Sequence, residues 1–322
     1  MRRTAVLAAH QARRQAIFLG APLGLLALAL VAGAVAGGPK YAGKIAFYSD
    51  RDGPFDIYVM KADGSDVRRL TTSGDAEDVG TSRERAALWP RWSPDGKRIV
   101  FQSGKPDITQ GQVYVMNGDG SGVRRLTSPS TGPNILPAWS PKGSTIAFAS
   151  ARDGYPRIYV MDARGRDQRP LTAKGVIGIS PAWAPDGKRL AFSCMRGGRV
   201  AICAATMPAG RLAAVWKAPA NFGVLGLDWS PDGRRILFMG TRGQAPDIYA
   251  VGADGKGLRR LTTDPANDNY PAWSPDGRHI VFASNRSGGT ELYVMNADGS
   301  NQTRLTTKEG HDEAPDWAGG AP

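Results

Sequence analysis

The chain has 322 residues and a formal net charge of +12, but its first 40 residues hold five Lys/Arg and no Asp or Glu, which leaves +7 on the remaining 282. The basic excess that would point to DNA binding therefore shrinks by almost half, and 282 residues suffice for one large domain or two ordinary ones. With 41 Gly, 23 Pro and 8 Trp among many short apolar runs, the composition excludes a helical bundle, a coiled coil and a disordered chain.

At the N-terminus, Arg2, Arg3, Arg13 and Arg14 precede an uncharged stretch from Gln15 to Pro39 that is rich in Leu, Ala and Val and ends Ala34-Val35-Ala36-Gly37. This is the pattern of a charged n-region, an apolar h-region and a small-x-small cleavage site. The stretch is also long enough to cross a bilayer as a hydrophobic helix. Residues 1–40 are accordingly expected to be a cleaved signal peptide or an uncleaved signal anchor, with residues 41–322 exported to the periplasm or cell surface. Arg13-Arg14 ahead of Ile17-Phe18-Leu19 has a loose likeness to a twin-arginine signal, so that route and Sec both stay open.

From Ile45 onward the chain repeats itself. An apolar triplet Ile45-Ala-Phe47 is followed by Ile57 to Met60, by the turn Ala62-Asp63-Gly64-Ser65 and by Arg69-Leu70-Thr71. Trp92-Ser93-Pro94-Asp95-Gly96 then opens a second unit, and related tracts begin at Trp139, Trp183, Trp229 and Trp273, with a degenerate copy at Trp317. Successive tryptophans are 47, 44, 46, 44 and 44 residues apart, and each of the first five is followed by a triplet beginning at Ile99, Ile146, Leu190, Ile236 or Ile280. Four short apolar segments per unit, separated by Asp-Gly turns, spell four antiparallel strands. One such sheet cannot bury both faces alone, and radial stacking about an axis solves this as a β-propeller. The first triplet lacks a leading tryptophan strand and Trp317 lacks everything after it. The predicted fold is therefore all-β, a six-bladed propeller in which the C-terminal strand completes the first blade and the tryptophan strands lie innermost.

Pro-x-Trp-Ser-Pro-Asp-Gly, Ile-x-Phe-x-Ser, Asp-Ile-Tyr-Val-Met and Arg-Leu-Thr together resemble the repeat of the TolB-type propellers over about residues 45 to 317. WD repeats are less similar, since Gly-His is absent. The resemblance implies an exported, non-catalytic ring that needs no cofactor, has a protein or peptide partner of the Pal-like envelope kind, and is monomeric. TolB carries an α/β domain ahead of its propeller. Few residues separate the apolar segment from Ile45, so no such domain is expected here.

A residue type that returns in every blade serves the scaffold, so the tryptophans, the Asp-Gly turns, Arg51, Arg152, Arg286 and the Arg-Leu-Thr segments are read as structural. Function is sought where the repeat breaks. The connection Ser73 to Trp89 is about nine residues longer than its counterparts and carries Asp75, Glu77, Asp78, Arg83, Glu84 and Arg85. The residue before the tryptophan is Ala in three blades but Arg91, Asp228 and Asp316 in the others. With Trp89 and Tyr270 these would face one funnel, either a ligand or peptide site or a hydrated channel lining. Cys194 and Cys203 replace a Ser and a Tyr of the repeat on one predicted hairpin, so a disulfide and two buried thiols are both open. The loop from Gly104 to Gln112 reads as a longer hairpin connection.

Enzyme signatures are sparse. Gly-x-Ser-x-Gly is absent, and of His10, His279 and His311 only His311, in His311-Asp312-Glu313, is an acid/base or metal candidate. His279 is expected at the surface. No metal site is expected at the cysteines, and Asn117-Gly-Asp119-Gly-Ser121-Gly122 lacks the Glu of a calcium loop. Three functions follow: an envelope protein- or peptide-binding propeller; a carbohydrate- or small-ligand-binding or lyase propeller; and electrostatic attachment to an anionic polymer through Arg68-Arg69, Arg124-Arg125 and Arg259-Arg260. The dispersal of these arginines makes nucleic acid the weakest partner.

Overall fold

The computed structural model describes residues 41–72, 86–104, 111–208, 210–243 and 245–319. The N-terminal segment, Arg83, Arg85 and most of the charged insertion lie outside these residues, as does the middle of the Gly104 to Gln112 loop. Among the described residues there are six four-stranded antiparallel sheets. Blade 1 sets Asp312–Ala318 against Lys44–Ser49, then Asp56–Lys61 and Arg68–Arg69. The C-terminal strand does close the ring: Trp317 sits opposite Ile45 and Asp316 opposite Ala46. No sheet edge is left between first and last blade.

The innermost strands of blades 2 to 6 are Ala86–Trp92, Asn134–Trp139, Ile177–Trp183, Phe222–Trp229 and Asp268–Trp273. Each ends on its tryptophan and turns back through the Ser-Pro-Asp-Gly tract or, after Trp139 and Trp183, its Ser-Pro-Lys-Gly and Ala-Pro-Asp-Gly variants. In blade 2 the Ser93 hydroxyl donates to Asp95 (2.5 Å), and Ser93 Oγ accepts from the Arg98 N–H (2.9 Å). Gly96 takes the left-handed φ of +64° that closes this turn. The phenylalanines of the triplets, Phe47, Phe148, Phe192, Phe238 and Phe282, are fully buried between blades, where truncation of such a side chain costs about 3–5 kcal/mol. Arg98, Arg189 and Arg235 stack over Trp139, Trp229 and Trp273 of the following blade, 4.6–4.8 Å from the ring centroids, and tie neighbours together by cation–π attraction. At the closing junction His279 occupies this place. It is partly buried and packs edge-on against Tyr41, which meets Trp317 in turn.

A second device recurs in three blades. Arg51, Arg152 and Arg286 donate through Nε to Ser49, Ser150 and Ser284 (2.9–3.0 Å). Their guanidinium groups lie over Phe47 and Tyr58, Phe148 and Tyr159, and Phe282 and Tyr293. Each reaches a partner on the innermost strand of its blade, Asp312, Asn134 or Asp268. In blade 4, Gly178 stands at the acid's register position, Cys194 replaces the Ser and Cys203 replaces the Tyr. The structure joins Cys194 to Cys203, with Cα atoms 5.8 Å apart. A covalent link thus occupies the place of the arginine clamp. Closing so short a loop contributes roughly 2–3 kcal/mol. Dithiothreitol is therefore expected to lower the urea midpoint of the natural chain but not that of a Cys194→Ala/Cys203→Ala double variant. Equal midpoints with and without reductant would remove the staple from the account.

The repeated arginines of the outer strands are also internal partners. Arg69 pairs with Asp56, Arg260 with Asp247 and Arg304 with Glu291, while Thr71, Thr262 and Thr306 bond the same carboxylates. These side chains hold the third strand to the fourth, which removes them from any free cationic rim.

Candidate functional site

Each innermost strand carries a bulge three residues before its tryptophan, where the backbone enters the left-handed region: Trp89, Leu136, Ser180, Gly226, Tyr270 and Ala314 have φ between 46° and 59°. Such a conformation costs a non-glycine residue about 1–3 kcal/mol, and its return in all six blades makes it part of the ring. A bulge re-aims a side chain, and here five of the six bulge residues line one central recess together with Arg91. The backbone device is constant and the side chains differ. That contrast places any selectivity in the side chains.

The recess has a cavity volume of ≈ 20 Å³, space for about one water molecule and far below the roughly 300–1,000 Å³ of a small-molecule pocket. Its wall is aromatic on one side. Trp89 lies 6.3 Å from Tyr270 and 5.9 Å from Tyr48 between ring centroids, and Tyr48 lies 5.3 Å from Phe55. Trp89 Nε1 is buried without a hydrogen-bond partner. The Tyr48 hydroxyl donates to Glu313 (2.7 Å). Burial, reinforced by the Glu313 charge, holds the Tyr48 phenol well above its ordinary pKa and pushes Tyr270 up to about 12. Both remain hydrogen-bond donors at neutral pH.

Nearer the tryptophan ends of the strands lie the charges. Arg91 donates to Asp316 (3.0 Å), whose other oxygen accepts the Trp92 N–H (2.6 Å). Asp228 accepts the Trp273 N–H (2.7 Å). The two aspartates thus reach from one blade to the backbone of the next. Desolvation works against the Arg91 cation, but Asp316 and Asp228 outweigh it and hold its pKa above the ordinary value. Asp228 is pushed up to about 7, first by desolvation and against the pull of Arg91 and the Trp273 N–H. Two carboxyl groups, Asp316 and Asp228, thus face one guanidinium, so acids outnumber bases there.

The structure therefore brings Trp89, Arg91, Tyr270, Asp228 and Asp316 to the centre. It adds Tyr48, Phe55, Glu313 and Leu136, which reading the repeat did not single out. The available signal is side-chain identity at one repeat position: Tyr48 stands where other blades have Gln102, Ala149, Ser193, Met239 and Ala283. His311 lies outside this wall, paired with Asp50 (3.0 Å). Asp119 accepts from the N–H and hydroxyl of Ser121, as a hairpin turn requires. Among the described residues no three His, Cys, Asp or Glu side chains converge as a metal site, and no helix is long and apolar enough to cross a membrane. A larger groove of ≈ 510 Å³ lies on blade 5 beside Arg242, Asp247, Tyr249 and Arg260, away from the innermost strands.

Comparison with known proteins gives a consistent result. The TolB beta propeller domain model matches residues 81–224 and 220–320. A TolB homolog of Chlorobium luteolum is 32% identical over 162 residues, covering 38% of this chain and 35% of the relative. The Tol-Pal system protein TolB of Bordetella pertussis is 28% identical over 170 residues, covering 39% and 36%. Matches thus span about a third of the length of these curated relatives. The crystal structure of TolB from Acinetobacter baumannii superposes with a TM-score of 0.71 at 22% identity, covering 87% of this chain and 67% of that one.

Proposed function

Because this chain belongs to the TolB β-propeller domain family, we propose that it is an exported, non-catalytic binding module of the cell envelope that takes a protein or peptide at the mouth of its ring. The observation that carries this reading is the aromatic cluster of Trp89, Tyr270, Tyr48 and Phe55, which spans the closing blade and its neighbours and in which Tyr270 and Phe55 are partly exposed while Trp89 and Tyr48 are buried. Rigid aromatic rings with buried polar tips are the usual anchors of protein interfaces. A recess with room for about one water does not admit a sugar ring, so contact at the mouth fits better than a ligand sealed inside. The excess of carboxyl groups favours a segment that is neutral or basic where it meets the recess. The name of the Bordetella relative places that protein in the Tol-Pal system, and an envelope protein partner is proposed here on the same ground.

The test is site-specific photo-crosslinking of the full chain in its envelope. Benzoyl-phenylalanine at Phe55 should capture one discrete polypeptide, whereas the same group at exposed Leu258, on the rim of blade 5, should not. The same adduct from both positions, or none from Phe55, would count against a mouth-binding module.

A further inference from the structure

Blade 4 departs from the other blades at its outer edge. The outermost strands of the other five are two residues long, Arg68–Arg69, Arg124–Arg125, Arg169–Pro170, Arg259–Arg260 and Thr303–Arg304. Short edges bearing charge or proline block further strand pairing. In blade 4 the outermost strand is Leu212–Lys217, six residues, uncharged from Leu212 to Trp216, with Leu212, Ala213 and Ala214 exposed. Main-chain bonds from Thr206 N to Arg211 O and from Ala218 N to Val200 O fix the phase of its ladder with Arg199–Thr206. Even-numbered residues of Arg199–Thr206 bond inward across this pair. In an antiparallel ladder that alternation turns the N–H and C=O of Leu212 and Ala214 outward.

Charge singles out the same edge. Between residues 177 and 217 there are six Lys or Arg and one Asp, so this blade carries five of the +7 outside the N-terminal segment. Elsewhere Arg69, Arg157, Arg260 and Arg304 pair with acids. Here Arg196, Arg199, Arg211 and Lys217 are exposed, and Arg211 and Lys217 bracket the uncharged strand.

We propose that this edge is a docking strand for an extended, acid-flanked segment of a partner protein, which would add to blade 4 beside Leu212–Lys217. Main-chain bonds to Leu212 and Ala214 would supply affinity, and carboxylates meeting Arg211 and Lys217 would supply register and sign selection. The surface is separate from the central mouth, so it can bind whether or not the mouth does.

A fluorescein-labelled peptide, Glu-Glu-Val-Thr-Val-Thr-Glu-Glu, titrated against the full chain tests this. Three changes are each expected to weaken binding by about tenfold or more: Arg211→Glu with Lys217→Glu, N-methylation of the peptide at both valines, and exchange of its Glu for Lys. The two substituted side chains are exposed, and an unchanged thermal melt would show the ring intact. If the N-methylated peptide binds as well as its parent, or if heparin or duplex DNA competes at equal charge concentration, the edge is a site for anionic polymers and the strand proposal falls. It falls equally if the charge reversal has no effect or the parent peptide does not bind.

Discussion

Asp312→Ala is expected to destabilise the ring by about 3–5 kcal/mol, because it leaves the buried Arg51 guanidinium without its counter-charge. Arg51 and Asp312 expose 4% and 1% of their side chains. The guanidinium lies over both Phe47 and Tyr58, 5.2 and 5.3 Å from their ring centroids, so it cannot swing out to water without giving up both contacts. Asp312 also lies on the strand that closes the propeller, opposite Ser49, so its loss weakens the junction between chain ends. Blade 3 supplies the natural control. Asn134 does there what Asp312 does here, accepting from Arg152 at 3.0 Å through a neutral amide oxygen. Asp312→Asn should therefore cost only about 1–2 kcal/mol, the difference between a charged and a neutral acceptor. Urea unfolding of the full chain should rank natural sequence above Asn above Ala, and Asp268 in blade 6 should repeat the order. Equal losses for Asn and Ala would mean that the clamp acts through strand geometry and not through the bond.

The clamp also shows what the sequence discloses and what it conceals. Blade number, the closing role of Trp317 and the structural character of Arg51, Arg152 and Arg286 are legible because period and residue type are local properties. The partner of each arginine is not, because it lies on another strand at a distance set by register. Asp312, Asn134 and Asp268 differ in chemistry yet share one ladder position, opposite Ser49, Ser150 and Ser284. The central residues divide in the same way. Arg91, Asp228 and Asp316 stand out as breaks before a tryptophan, but their role as acceptors for the next blade's backbone depends on how blades stack. Of the arginines repeated blade by blade, Arg69, Arg260 and Arg304 prove to be paired with acids, while blade 4 carries the largest net positive charge.

Asp228→Asn is expected to stabilise the protein at pH 8 by on the order of 2–4 kcal/mol and to leave it nearly unchanged at pH 4. The carboxyl is pushed up to about 7 in the folded ring, whereas an unfolded Asp titrates near about 3.9. Between these values the folded chain keeps a proton that the unfolded chain has released. Stability from this group is therefore greatest at low pH, falls as pH rises from about 4 to about 7, and is level above that. The cause is the central wall: one guanidinium, Arg91, already bonded to Asp316, does not neutralise a second, partly buried carboxylate. Asn keeps an oxygen for the Trp273 N–H while removing the charge, so the blade-to-blade bond survives. Asp228→Ala loses that bond and should fall below Asn at every pH. Melting curves from pH 4 to 8 decide the matter. A natural chain that is more stable than the Asn variant at pH 8 would show that Asp228 is ionised there and supports Arg91 as a charge. A basic group docked at the mouth would act in the same direction as raising the pH, favouring the ionised carboxylate. Addition of a partner with such a group should therefore release a fraction of a proton per complex near pH 7, and the Asn variant should release less.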